Sequence, residues 1–351
     1  MDVLEFVEQL KIELWPVQRF ILKAMYGLPL EEDTPTIELP DSWRRESVQM
    51  VTEAQYMTHL FQKGQASSPV VQEEEAPSRG VVLVMGRRSG KSFLVALVCL
   101  YETYRLATGQ NLNTKRLMPT DIYGTLVVGP TRDMAQQAYR YMVDLMDRSP
   151  DLDERMANQT QNYVRFQTDA DIAADGPWKG SRRQARASVS LATKAALAKR
   201  LRGGMLGFAV MDEADFFPLS SVEDVFSILQ RMLQTLRGRW LLVSSPAPST
   251  PFLRQQFELA GVGHSGAGVL GLQIPTWEAN PHVDQHSLQT AHDRDPITFM
   301  AEFGAMFMTT VTIHIPLSLH NGVLEEITDQ GRGETFDSVV VEGLQDWLKR
   351  E

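Results

Sequence analysis

The sequence predicts an α/β fold with a mostly parallel central sheet covered by helices on both faces. Three observations carry this. Short apolar runs recur from residue 80 onward: VVLVM (81–85), YGTLVVG (123–129), ASVSLA (187–192), GFAVMD (207–212) and RWLLVSS (239–245). Continuous runs of this length, as opposed to alternating ones, suit strands buried on both faces. Amphipathic stretches of helical length lie between them, at 91–106, 132–146 and 221–233, and parallel neighbours need such crossovers. Finally, the first run breaks into glycine and positive charge, GRRSGKS (86–92), before an apolar helix begins.

Upstream of the sheet, residues 6–30 show helical spacing on either side of Pro16. Residues 30–79 are rich in Pro, Glu, Ser and Thr, with a helical patch around VTEAQYMTHLFQKG. They read as an insertion or surface excursion within a core domain spanning 1–250. Beyond Thr250 come FLRQQFELAG, the strand VLGLQIP, the turn EANPHVD and the helix PITFMAEFGAMF. These are expected to form a small appended subdomain which, with a C-terminal tail, occupies 251–351. The stretch after Phe307 has no cluster of acids on strands.

The chain has 351 residues, 43% of them apolar and 22% charged, an ordinary globular composition. Its one cysteine, Cys99, cannot form a disulfide within the chain, which fits a reducing compartment. The N-terminus is acidic and amphipathic, and no apolar run approaches the ~20 residues needed to span a bilayer. The chain reads as intracellular and soluble. A net charge of -10 argues against a free-standing nucleic-acid binder. Lys179 to Arg202, however, holds eight Lys/Arg and no acid, either a solvated face or a local anion-facing patch.

The chemistry concentrates in GRRSGKS. A sharp glycine-rich turn from strand to helix gathers backbone N–H groups at one point and aims the positive helix end there. Gly86, Arg88, Ser89 and Gly90 would cradle phosphates, Lys91 would reach the outer ones, and Ser92 would hold Mg²⁺. The usual first glycine of such a loop falls at Met85, and two arginines occupy the loop. Arg87 or Arg88 could neutralise charge developing on a terminal phosphate, with Arg87 favoured. In FAVMDEADFF, Asp212 would hold Mg²⁺ and Glu213 would act as general base toward water. Ser244 and Ser245 end the following strand; they either sense the terminal phosphate or cap the next helix. Gln18 has an amide able to pair with the adenine edge, or it is an ordinary helix-surface glutamine.

Taken in order, PVQRFILKAMYGLPL, GRRSGKS, MDEAD, VSSP, IPTWEANP and DPITFMAEFGAMF resemble the N-terminal packaging ATPase of the large terminase subunit of tailed double-stranded DNA bacteriophages. The resemblance runs from about residue 10 to 308. It implies a RecA-like P-loop NTPase fold with a lid, using ATP and Mg²⁺. It also implies a homo-oligomeric ring in the host cytoplasm, at the procapsid portal, with the portal protein, the small terminase subunit and viral double-stranded DNA as partners. Arg202, in KRLRGG, matches the position that in some members sends an arginine into a neighbouring subunit's site. Full-length members continue into a nuclease whose metal site needs several acids on strands; the stretch after Phe307 departs from this, so no complete nuclease domain and no nuclease activity is expected. Two alternatives stay open: a helicase-type DNA-dependent ATPase, and a nucleotide-binding assembly subunit that is not a motor.

Overall fold

The computed structural model describes residues 1–68, 78–110, 117, 121–173, 185–193, 205–247, 252–261 and 268–308. One compact unit extends from Met1 to Met306. Helix α1 (Val3–Gln9) starts at Asp2, whose carboxylate accepts from the N–H groups of Leu4 and Glu5. Helix α2 (Pro16–Tyr26) has Pro16 in its first turn and stops at Gly27, which takes φ 69. Pro16 therefore begins a helix, where its missing N–H costs nothing, and does not kink one.

The central sheet has eight strands. In chain order they are β3 (Gly80–Met85), β4 (Tyr123–Gly129), β5 (Met156–Gln159), β6 (Tyr163–Phe166), β7 (Ala187–Thr193), β8 (Met205–Asp212), β9 (Arg239–Ser244) and β10 (Val269–Ile274). Across the sheet the order is β10-β3-β9-β8-β4-β7-β6-β5. The six strands from β10 to β7 are mutually parallel, and β6 and β5 add an antiparallel edge. This is the RecA-like P-loop arrangement: one strand, β9, separates the loop-bearing β3 from the acidic β8. The helices predicted from periodicity are present as α4 (Lys91–Ala107), α5 (Arg132–Met146) and α8 (Leu219–Gln234), with the short α6 (Pro150–Arg155) and α7 (Asp169–Ala173) between α5 and α8. Helix α4 is buried along nearly its whole length, Glu102 and Thr103 included.

Two sequence expectations need correction. The segment 30–68 is no surface excursion. It forms the hairpin β1 (Ile37–Pro40) and β2 (Val48–Val51) and helix α3 (Glu53–Gln62). Ile37, Tyr56, Met57 and Leu60 are fully buried in the main core. Its polar composition hid four well-spaced anchors. Likewise, the segment after 250 does not form a lid set apart from the sheet. Helix α9 (Phe252–Leu259) leads into β10, which pairs in parallel with β3 from Val269↔Gly80 to Ile274↔Met85. Helices α10 (Thr276–Ala279), α11 (Gln285–Arg294) and α12 (Pro296–Glu302) follow from that strand. The strand VLGLQI is as apolar as the other parallel strands, and burial against β3 is what it needs. The antiparallel β5 and β6 went unpredicted because MANQ and YVRF are only four residues each, too short for a period to show.

Beneath the sheet's amino-terminal side lies a buried charge network. Arg239 Nε donates to Ser78 O, Nη1 to Glu102 Oε1 at 2.7 Å and Nη2 to Met25 O, while its guanidinium covers the Tyr26 ring. Tyr26 Oη and Arg105 also donate to Glu102. Removing the main cation would leave a buried carboxylate and two backbone carbonyls short of donors. Arg239→Met is expected to cost about 3 kcal/mol, read as a lower urea midpoint at unchanged slope; a cost below about 1 kcal/mol would contradict this.

Candidate functional site

Strand β3 delivers its last residue, Met85, to the carboxyl edge of the parallel sheet, and α4 begins six residues later at Lys91. Between them the loop turns through two left-handed residues, Arg88 at φ 62 and Gly90 at φ 83. Gly90 is the N-cap of α4 and provides no side-chain cap. The first N–H groups of a 17-residue helix are thus left without a cap, next to the positive end of its dipole. Gly86 has no space for a side chain: a Cβ there would lie 2.2 Å from Thr276 Oγ1 and 2.3 Å from Phe303 O. Ser89 is buried, and its hydroxyl donates to Gly86 O at 2.6 Å. Ser89 therefore locks the loop's shape and does not face solvent.

Lys91 is buried, its Nζ donating to the carbonyls of Met85 (3.3 Å) and Gly86 (3.2 Å). Desolvation pulls its pKa below the usual lysine value, while Glu213 and Asp212 pull it back up. Those two acids are consecutive, and on a regular strand they would point to opposite faces. Glu213 takes φ 52 and ψ 50, a left-handed conformation that a glutamate adopts only when its surroundings hold it. The turn ends the alternation and brings both carboxylates toward Lys91. Glu213 Oε1 stands 3.9 Å from Lys91 Nζ.

Strand β9 lies between the loop strand and the acidic strand, and its last residue, Ser244, meets both. Ser244 pairs with Val84 in register, while Asp212 pairs with Val243. Its hydroxyl contacts Glu213 Oε2 (3.2 Å) and Ser245 O (2.8 Å) and accepts from the N–H of Asp215 (3.3 Å). Asp215, buried beyond Glu213, accepts from the N–H groups of Ala247 and Leu253. Burial raises its pKa to about 6, against those two hydrogen bonds. A hydrogen-bonded path thus joins Glu213 to the start of α9.

An open cavity of about 640 Å³ lies over the loop, lined by Arg87, Arg88, Gly90, Lys91, Ser92 and Glu213 among others. The structure therefore brings together the two clusters that lie about 120 residues apart in sequence. Asp212 is buried just behind, and its Oδ1 has no hydrogen-bond partner. Ser245 is also buried and does not line the cavity. Gln18 is buried too; its Oε1 accepts from Trp15 N–H as part of the α2 cap, and its Nε2 would lie 2.6 Å from a Cβ on Gly90. Arg87 pairs with Glu302 Oε2 at 2.7 Å, with over half of its side chain exposed. Arg202 lies outside the described residues, as does most of the basic run 179–202.

Several lining residues carried no signal in the sequence. Trp15, next to Gln18, lines the cavity, and so do Phe93, Gln137, Tyr141 and Phe303. Trp15 could have been suspected from its place one residue before a helix-starting proline; the α5 pair Gln137 and Tyr141, four apart on one helical face, could not. Glu302 sits 215 residues from its partner Arg87, beyond any local pattern.

A family-level comparison matches residues 46–304 to the family described as "Uncharacterized protein MJ0330, N-terminal P-loop domain". Among solved structures, two of the large terminase ATPase domain of Thermus phage P74-26 align with TM-scores of 0.49 and 0.48, at 18% and 19% identity. They cover 66% of this chain and 90% and 89% of those chains. The large terminase of bacteriophage HK97 aligns with a TM-score of 0.47 at 14% identity, over 69% of this chain and 50% of that chain. No curated protein matches the chain. Among the described residues, no helix is long and apolar enough to cross a membrane.

Asp212 provides a direct test of this electrostatic arrangement. Burial, and after it the charge of Glu213, raises its pKa from 3.8 to about 7, against Lys91. Between those values the folded carboxyl holds a proton that the unfolded one has lost. Stability contributed by this group is therefore present below about pH 4 and is lost as pH rises through about 7. In the presence of a chelator and without nucleotide, Asp212→Asn should stabilise the chain by about 2 kcal/mol or more at pH 8 and by little at pH 4. Urea unfolding at the two pH values measures this, and destabilisation at pH 8 would contradict it.

Proposed function

We propose, from the premise that the chain belongs to the family of the "Uncharacterized protein MJ0330, N-terminal P-loop domain", that it is an ATP-hydrolysing motor subunit which drives viral double-stranded DNA into a procapsid. The observation that supports hydrolysis is the convergence of Lys91, Asp212 and Glu213 at one cavity, with Ser244 holding the far oxygen of Glu213. The uncapped N–H groups of the loop and of α4 suit a polyphosphate. Lys91, now on the carbonyls of Met85 and Gly86, would turn to the outer phosphates. Gln18 and Trp15, beside Gly90, suit the base.

In this reading Glu213 orients the attacking water and accepts its proton at the carboxylate facing the cavity. Ser244 fixes that carboxylate and carries its state through Asp215 to the start of α9. Arg87 exchanges its Glu302 partner for the terminal phosphate, where it offsets developing charge. The orphaned Oδ1 of Asp212 and the Ser92 hydroxyl at the cavity wall fit a hard cation. They would hold Mg²⁺, whose chemistry is to neutralise phosphate oxygens.

Packaging is supported by the order of the sequence motifs, above all by IPTWEANP and DPITFMAEFGAMF following the acidic strand. On this reading the subunits form a ring at the portal, with the small terminase subunit as a further partner, in the host cytoplasm. Arg202 then completes a neighbouring subunit's site, and DNA is held through its phosphates, with binding that falls steeply with salt. ATP-dependent uptake of DNA by purified empty procapsids tests this part.

For the chemistry, Glu213→Gln is expected to lower ATP turnover by roughly a hundredfold or more, with the Kd for ATP within about threefold of the parent. Turnover near the parent rate would exclude Glu213 as the base.

A further inference from the structure

The phosphate loop is held from its outer side by residues to which neither strand chemistry nor the loop pattern assigns a role. Thr276 Oγ1, in α10, donates to Arg87 O at 2.7 Å, and Asn280 Nδ2, just after α10, donates to Arg88 O at 2.8 Å. None of the described peptide bonds is cis, and in a planar trans peptide the C=O and the next residue's N–H point in opposite directions. Two carbonyls drawn outward therefore aim the N–H groups of Arg88 and Ser89 the other way, toward the cavity. The two preceding N–H groups behave differently: Gly86 donates to Ile274 O (3.2 Å) and Arg87 to Glu302 O (2.6 Å). The anion-facing stretch thus begins at Arg88, the residue whose φ of 62 needs support from outside.

Helix α10 is in turn fixed by the segment 37–62. Tyr56 Oη donates to Glu278 Oε2 at 2.7 Å, both side chains being buried, and Arg45 Nη1 donates to Trp277 O at 2.9 Å. Trp277 stacks on Phe299, which also meets Trp43 from the β1–β2 turn. A chain of contacts therefore runs from α3 through Glu278 to the two donors on the loop.

We infer that Thr276 and Asn280 are positioning residues for polyphosphate binding, orienting the peptide units 87–88 and 88–89, and that the Tyr56–Glu278 contact holds them in place. The inference rests on the reading of the loop as a nucleotide site. Its test uses the full chain, calorimetric titration with ADP and with inorganic pyrophosphate, and variants that keep side-chain volume. Thr276→Val and Asn280→Leu should each weaken both ligands by roughly three- to tenfold. Thr276→Ser, which restores the donor, should return affinity to within about twofold. Tyr56→Phe, remote from the cavity, should weaken both ligands by about twofold or more. The urea transition of Thr276→Val without ligand should remain cooperative with the parent's slope, so that lost affinity is not lost folding. If the parent binds both ligands and Thr276→Val binds them equally well, or Thr276→Ser fails to restore affinity, the inference alone is overturned. A parent that binds neither ligand overturns the nucleotide reading and this inference with it.

Discussion

Everything at the site depends on a buried lysine that must find negative charge. Lys91 is nearly inaccessible to water, and an ammonium in that position is costly unless carboxylates or phosphates stand close. Two loop carbonyls and the nearby Glu213 and Asp212 meet part of that need. None of them is a fully formed ion pair, since Glu213 stands 3.9 Å away. The site is thus held in partial electrostatic balance, with a helix N-terminus and a lysine on one side and two incompletely compensated acids on the other. A polyphosphate with its cation would complete both halves at once.

The strand order makes this balance possible. With β9 between β3 and β8, the loop and the acids are two strands apart, and the carboxyl end of β9 falls between them. A hydroxyl at that end reaches the far oxygen of Glu213, which a direct β3–β8 neighbour would leave no room for. The same hydroxyl receives the N–H of Asp215, and Asp215 receives two more from the chain leading into α9. Local charge at Glu213 is therefore wired by hydrogen bonds to a separate element.

The loop is also held from behind. Strand β10, α10 and α12 provide backbone and side-chain partners to Gly86, Arg87 and Arg88, and the absent side chain of Gly86 is what allows their approach. Hairpin β1–β2 and α3 hold α10 in turn. Segments that look peripheral in sequence, at 30–68 and 252–306, thereby become the outer support of the loop. The catalytic edge of a parallel sheet consists of turns, and turns keep a functional shape only when packed on both sides.

The sequence by itself determined the parallel strands, the helices between them, and the loop and acidic pair as the two chemical centres, because each is written in a local pattern: apolar runs of strand length, helical spacing, and glycine, lysine and serine at a strand end. Only the tertiary structure decided that β10 joins the central sheet, that Trp15, Tyr141 and Phe303 face the cavity, and that Glu302, Thr276 and Asn280 grip the loop. Those relations join residues up to 215 positions apart. Side chains so distant meet through packing and strand order, which leave no period and no spacing in the chain to read. The left-handed turn at Glu213 belongs with them: two adjacent acids announce chemistry, but only the surrounding fold can make them face the same lysine.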